Sequence, residues 1–360
     1  MMKEGGGKVH RIGAALLALT MAACAPQAEQ AGEARQDPPV RWRMAATFSS
    51  SLTMLGTLGK RLTERAALVS GGEIELSYME PGALVPALEL FDAVSFGAIE
   101  AGWSTPGYWG GKVPALQLFG SVPFGPPADE YLAWFFEGGG RALFEDLYHR
   151  HNVHSLICGV SPPEASGWYK EEMTSLADLK GKKIRFFGLG GKVLDRLGVS
   201  TQLLSAGDIF PALELGAIDG AEFSMPAVDE AMGFYQAARY YYFPGWHQQS
   251  TFFELMVNLK RWRALSARQQ AMLETLCGDS IRFSLAEGEA LQVAALKRLE
   301  ARGVVLKTWP PDMLAAFEAA WKEVAAEMAE EDPDFARAWR SLQDFRRQYK
   351  GWRSRGYLQR

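Results

Sequence analysis

Cysteine, surplus positive charge and long apolar runs are all scarce in this 360-residue chain. Lysine and arginine total 38 against 42 acidic residues, a formal charge of −4. No basic excess exists to displace counterions from phosphates, which argues against a nucleic-acid binder. The apolar run Ile12–Ala23 is too short to span a bilayer comfortably. Of the three cysteines, Cys158 and Cys277 lie far apart on an apolar background and are expected to be buried and free. What remains is ordinary for a soluble globular protein, 48% hydrophobic and 22% charged. The length suits two domains, each able to bury a core.

The N-terminus reads as an export signal over residues 1–23. Lys3, Lys8 and Arg11 precede the short apolar run, and small residues end it. Its removal deletes three positive charges and one negative, so the mature charge becomes −6 from −4. MAAC places Ala22 and Ala23 before Cys24 and looks like a lipobox, in which Cys24 is acylated. Met21 departs from the usual leucine-like residue, and ordinary cleavage near Ala23 is the alternative. Residues 24–40 are polar, contain proline and lack apolar periodicity, so they read as a disordered tether. Multiple acyl chains on Cys24 would hold the protein to the membrane surface only through that anchor.

The body repeats itself. LFDAVSFGAIEAGWS and IFPALELGAIDGAEFS align without gaps, setting Phe91 on Phe210, Gly97 on Gly216 and Trp103 on Glu222. Arg41–Thr47 and Glu73–Met79 read as strands, with a helix between them capped by Ser51 and ended at Gly71. The rhythm restarts after Ser161, where Asp208 caps a helix with Pro211 in its first turn. Alternating strands and helices imply an α/β fold with a covered parallel or mixed sheet. From Ala264 onward the pattern is almost wholly helical. Gly97 and Gly216 suit a helix C′ position, which needs positive φ. Glu222 then falls at a sheet's carboxyl edge, where α/β folds bind ligands; a solvated strand-end glutamate fits equally.

Arg185 ends a strand in KKIRFFGLGGK, beside a loop of Gly188, Gly190 and Gly191 that leads into a helix N-terminus and suits an anion. A guanidinium there can grip a carboxylate through two bonds. Val193 stands where a dinucleotide fingerprint needs glycine, so no nucleotide site follows. The histidines of YHRHNVH do not share a helix face, and cationic side chains at a helix C-terminus explain them. No nucleophile elbow is present. Phe48, Tyr108, Trp109 and Trp246 are core or pocket.

VPALELFDAVSFGAIEAG, SVPFG, SLADLKGKKIR, GLGGKVLDRLG, GDIFPALELGAIDGAE, GFYQAARYYYFPGW and the helical tail together resemble the solute-binding proteins of tripartite ATP-independent periplasmic (TRAP) transporters. The likeness is to the branch that takes 2-oxo acids and related small carboxylates. It implies a two-lobed periplasmic fold: residues 41–160 with about 252–290 in one lobe, 161–251 in the other, and a helical region from about 291 to 360. It implies that Arg185 grips the carboxylate and that Glu222, with the carbonyl of Phe223, holds a bridging cation. Tyr108 is expected to line the pocket, with Phe223, Gln248 and Trp246 also on the ligand. Three segments depart from the branch. Glu164 replaces a glutamine that meets cation and ligand, Phe223 replaces tryptophan, and His247 with Gln248 replaces tryptophan and glutamate. Two carboxylates at Glu164 and Glu222 suit Ca²⁺ better than Na⁺; they also suit a basic group on the ligand. The resemblance implies periplasmic capture for separate membrane subunits, without catalysis. The alternatives are presentation of ligand to a sensor, or an enzyme with Glu164 and Glu222 as acid and base. The tail from Pro333 either pairs two subunits or folds back on its own lobe.

Overall fold

The computed structural model describes residues 6–7 and 37–358. The expected export segment, Cys24 and most of the tether lie outside the described residues. Among those described, no helix is long and apolar enough to cross a membrane. Asp37 and Pro38, at the end of the expected tether, are held in place. Ser266 Oγ donates to Asp37 at 2.6 Å and Gln269 Nε2 to the Pro38 carbonyl at 2.8 Å.

The chain begins with β1 (Val40–Ala46), α1 (Gly56–Val69), β2 (Ile74–Met79), α2 (Leu90–Ser95) and β3 (Ala101–Ser104). It continues with α3 (Ala128–Glu137), α4 (Gly140–His149), β4 (Val153–Val160), β5 (Gly167–Tyr169) and α5 (Leu176–Leu179). Then come β6 (Lys183–Arg185), α6 (Gly188–Arg196), β7 (Ser200–Gln202), α7 (Ala206–Glu214), β8 (Gly220–Ala221) and α8 (Pro226–Met232). The remainder is β9 (Tyr240–Phe243), β10 (Phe252–Asn258), α9 (Leu259–Arg263), α10 (Ala267–Ala301), β11 (Val305–Thr308), α11 (Pro311–Glu331) and α12 (Pro333–Gly356).

Two sheets result, ordered β2-β1-β3-β10-β4 and β11-β9-β5-β8-β6-β7. The sequence repeat is their shared core. β1 lies parallel to both β2 and β3, and β6 lies parallel to both β7 and β8. In each unit two helical crossovers link three parallel strands, with the first strand in the middle. Gly97 and Gly216 take φ of +77° and +73° after α2 and α7, as the alignment required. Buried apolar side chains of the two halves join in one continuous core.

Several local expectations change. Ser51 does not cap α1, because Ser49–Leu55 folds as an irregular turn and the helix starts at Gly56. A Cβ on Gly56 would lie 1.6 Å from the Ser49 carbonyl oxygen, so the turn closes only over a glycine. Ser205, not Asp208, occupies the N-cap of α7; Asp208 sits in the first turn and accepts from Ser205 Oγ at 2.5 Å, while Pro211 lies inside the helix. The tail contains a strand, β11, parallel to β9, whose four residues are too few to interrupt a helical pattern visibly. Cys158 and Cys277 form a disulfide, contrary to the free-thiol expectation. Packing of α10 on β4 brings together residues that sequence spacing kept apart.

α10 carries a capping box, Ser266 with Gln269, and its 35 residues extend about 50 Å at 1.5 Å per residue. It packs on α1 and β4 in one half and on α8 in the other. α12 folds back on α3, α4 and α11, burying Phe335, Ala338 and Leu342. The fold-back arrangement of the tail is therefore present.

Glu254 of β10 is wholly buried and accepts from Trp109 Nε1 at 2.8 Å, Ser155 Oγ at 2.6 Å and Tyr148 OH at 2.5 Å. Burial raises its pKa from 4.5 to about 7, although the three donors oppose the rise. The folded state therefore holds a proton that the unfolded state releases from pH 4.5 upward. Stability from this group is full below that value and falls by about 1.4 kcal/mol per pH unit until the folded carboxyl ionises. Glu254→Gln is expected to remove that slope, read from urea unfolding at about pH 5 and pH 7. Equal slopes in both proteins would contradict the assignment.

Candidate functional site

The two repeats diverge at one pair of positions. Strand pairing sets Ala45 opposite Gly102 in the first unit and Arg185 opposite Ala221 in the second. Trp103 follows in the first, Glu222 in the second. Trp103 seals its half: its Nε1 donates to the Leu55 carbonyl at 2.8 Å, and Gly59 leaves room for its ring. Arg185 and Glu222 put a guanidinium and a carboxylate in the equivalent place, 1% and 0% exposed.

Arg185 Nη1 donates to Glu222 Oε2 at 3.0 Å and to the Glu222 carbonyl; Nε reaches the Leu204 carbonyl at 3.4 Å. The Phe187 amide donates to the same Oε2 at 3.0 Å. The Phe223 ring centroid lies 5.3 Å from the guanidinium carbon, within cation–π range. Burial works against the charge on Glu222, but His247, Arg185 and the Phe187 amide outweigh it and hold the carboxyl below its usual range.

Glu164 follows β4. Ser224 Oγ donates to its Oε1 at 3.3 Å, and its amide donates to the Gln248 carbonyl at 3.3 Å. Gly245 allows this approach, since a Cβ there would lie 2.2 Å from the Glu164 carbonyl oxygen. Burial, then the neighbouring charges of Glu222 and Asp229, push the Glu164 carboxyl well above its usual range.

Tyr108, on a short 3₁₀ turn of the first half, packs edge-on against Phe187 of the second at 5.3 Å. Burial raises its hydroxyl to about 12, with Arg185 opposing and Glu222 assisting. The halves are thus closed around the charged pair. Tyr108, Glu164, Arg185, Phe223 and Gln248 line one chamber of about 20 Å³, room for little more than one water. A larger groove of about 760 Å³ runs along the seam past Glu80, Leu88 and Asp208. It lacks a buried charged pair, so chemistry rather than size favours the small chamber.

Other expectations fare differently. Trp246 is off the chamber wall, packed on Phe124, Phe186 and Phe317 at 5.8, 5.9 and 4.7 Å. The three glycines form no loop: they lie in the first turn of α6, and Gly190 lets that helix approach Phe186 and His247. Of the histidine cluster, His149 lies in the last turn of α4, as a helix C-terminus favours, while His154 is buried in β4. His149 Nε2 and His154 Nδ1 are 2.9 Å apart, and burial lowers His154 to about 3 and also lowers His151. The residue that sequence reasoning left out of the site is His247. It is fully buried, with Nε2 3.3 Å from Glu222 Oε1. Its signal was the departure from tryptophan in GWHQQ. Glu164, Glu222 and His247 place ligand atoms within 4.8 Å of one another, the one such group among the described residues. Glu164 Oε2 and Glu222 Oε1 have no hydrogen-bond partner despite burial. Orphaned buried oxygens fit a cation held between them.

Residues 44–332 match the bacterial extracellular solute-binding protein family 7. A monocarboxylate 2-oxoacid-binding periplasmic protein of Nostoc sp. is 35% identical over 316 residues, covering 88% of this chain and 86% of that protein. A TRAP transporter solute-binding protein from Bordetella bronchiseptica, a mixed-occupancy dimer with calcium and picolinate, is 36% identical with a TM-score of 0.86 over 88% of this chain and 95% of its own. One from Pseudoalteromonas atlantica, with sodium and pyruvate, is 30% identical with a TM-score of 0.84 over 88% and 96%. The chain belongs to family 7 of the bacterial extracellular solute-binding proteins and is a periplasmic solute-binding protein of the TRAP type.

Proposed function

We propose that this protein captures a small monocarboxylate of the 2-oxo or 2-hydroxy acid class and delivers it to separate membrane subunits. The observation that carries the proposal is the wholly buried Arg185–Glu222 pair, set in the closed seam where the other repeat has alanine and tryptophan. Arg185 would turn both guanidinium donors to the solute carboxylate. Tyr108 and Phe223 shape the wall, and Gln248 meets the solute's far end. Glu222, the Phe223 carbonyl and Glu164 would hold a cation, which supplies the positive charge that offsets their carboxylates. The solute would be admitted as the halves part and enclosed as they close about a hinge.

Residues 41–160 with about 252–290 move as one lobe in this reading, residues 161–251 as the other, and the region from about 291 to 360 braces them. Export uses residues 1–23. Acylation of Cys24 would tie the protein to the membrane, and labelling with a radioactive fatty acid that disappears in Cys24→Ser tests it. The fold-back of α12 leaves Trp352 exposed, a site for pairing with a second copy that sedimentation would detect. Uptake is favoured over sensing because the similar TRAP proteins are transport components.

Thermal unfolding against 2-oxo, 2-hydroxy and amino acids, with and without added cation, tests the solute class. A solute at about 100 times its Kd adds roughly 2.7 kcal/mol, so a 2-oxo acid such as pyruvate should raise the midpoint by several degrees. A response to basic solutes alone would overturn the carboxylate assignment.

A further inference from the structure

Charge is distributed unevenly along the chain. Residues 333–360 carry eight basic and two acidic residues, a net +6, so the mature charge of −6 leaves −12 on residues 24–332. The basic residues lie on α12 and just beyond it. We infer that the exposed end of α12 docks on a bilayer surface that carries anionic phospholipid, which keeps the protein beside the membrane subunits it serves. The docking surface uses no residue of the solute chamber, so the inference goes beyond the proposed function.

Part of the charge fastens the helix to its own half. Arg337 pairs with Asp146, Arg346 with Glu130 and Arg353 with Asp129, while Arg347 pairs with Asp344 on the same helix. Arg340, Lys350 and Arg355 are exposed and form no ion pair among the described residues. Arg355 Nη1 donates to the Gly351 carbonyl at 2.8 Å, which leaves its charge uncompensated. Leu342 is the last buried residue of α12, so the helix runs about 20 Å further, at 1.5 Å per residue, with no buried side chain.

Apolar groups sit among these cations. Trp352 and Leu358 are 59% and 87% exposed, and Tyr357 is 42% exposed; the Trp352 and Tyr357 rings meet edge-on at 6.5 Å. Single exposed apolar residues are ordinary. Three of them between Trp352 and Leu358, next to Lys350, Arg353 and Arg355, make a surface of two chemistries. Tryptophan, tyrosine and leucine suit the boundary between headgroups and acyl chains, while lysine and arginine meet the phosphates. Pairing with a second copy is the competing use of Trp352. A two-fold pair brings the same patch of both copies together, so Lys350 and Arg355 would face like charge. An anionic bilayer supplies the opposite charge instead.

The test uses the full mature chain with Cys24→Ser, so that no acyl chain contributes, and vesicles of phosphatidylcholine with or without phosphatidylglycerol. Cosedimentation should require phosphatidylglycerol and fall steeply between low and high salt. Lys350→Glu with Arg355→Glu should weaken it by more than about 25-fold, since each basic side chain near such a surface is worth roughly five-fold. Trp352→Ser should also weaken it, through lost apolar contact. These side chains are exposed, so pyruvate affinity and thermal midpoint should match the unsubstituted chain, and the lipid and salt series needs no further variant. Equal sedimentation with both vesicle types, charge reversal without loss, or a Trp352→Ser effect seen only as a lighter particle in vesicle-free sedimentation would overturn the inference. Pyruvate binding is read separately, so failure here leaves the solute class standing.

Discussion

Arg185→Lys is expected to weaken pyruvate binding by roughly 100-fold in a calorimetric titration, with the fold retained. Losing one partner of a buried, hydrogen-bonded charge pair costs about 2–5 kcal/mol, and lysine keeps the charge while losing the planar fork that meets two carboxylate oxygens. The retained charge matters for stability. Glu222 is 0% exposed, and Arg185→Ala would strand its carboxylate at a cost of about 3–5 kcal/mol. The lysine variant therefore reports on binding and the alanine variant on folding. Unchanged affinity in Arg185→Lys would remove Arg185 from the solute.

Loss of the Cys158–Cys277 bond is expected to have the largest effect on stability. The bond closes a loop with a sequence separation of 119 residues. For a loop of that length the chain-entropy account gives about 4–5 kcal/mol, an upper figure where the unfolded chain keeps structure. The Cys158→Ser, Cys277→Ser double variant, or the wild type with a reductant, should lose several kcal/mol in urea unfolding. Equal stability with and without reductant would show that the two thiols are not joined.

The architecture was legible because it is written twice. The repeat around Gly97 and Gly216 encodes an αβ turn whose positive φ only glycine takes freely, and both copies fold that way. Glu222 stood out in the sequence because it sits where the second copy breaks from the first, and Arg185 because it ends a strand beside a run of glycines. Features set by distant packing were hidden. The disulfide depends on α10 lying along β4, which no local pattern states. The three glycines near Arg185 read as a tight loop leading into a helix. The cause at Gly190 is steric, a helix pressed against Phe186 and His247, and at Gly188 a positive φ at the helix start. Trp246 lies beside His247, but its ring turns to Phe317 on α11, a direction that sequence spacing does not reveal. β11 and the start of α1 failed for the same reason: four residues, or one irregular turn, are decided by neighbours rather than by propensity.

The most direct test of the central claim is a crystal structure of the mature protein with pyruvate. The account predicts pyruvate enclosed between the two sheets, both its carboxylate oxygens within about 3 Å of the Arg185 guanidinium nitrogens. Pyruvate seated in the groove beside Glu80 and Asp208, with Arg185 still bound only to Glu222, would contradict it.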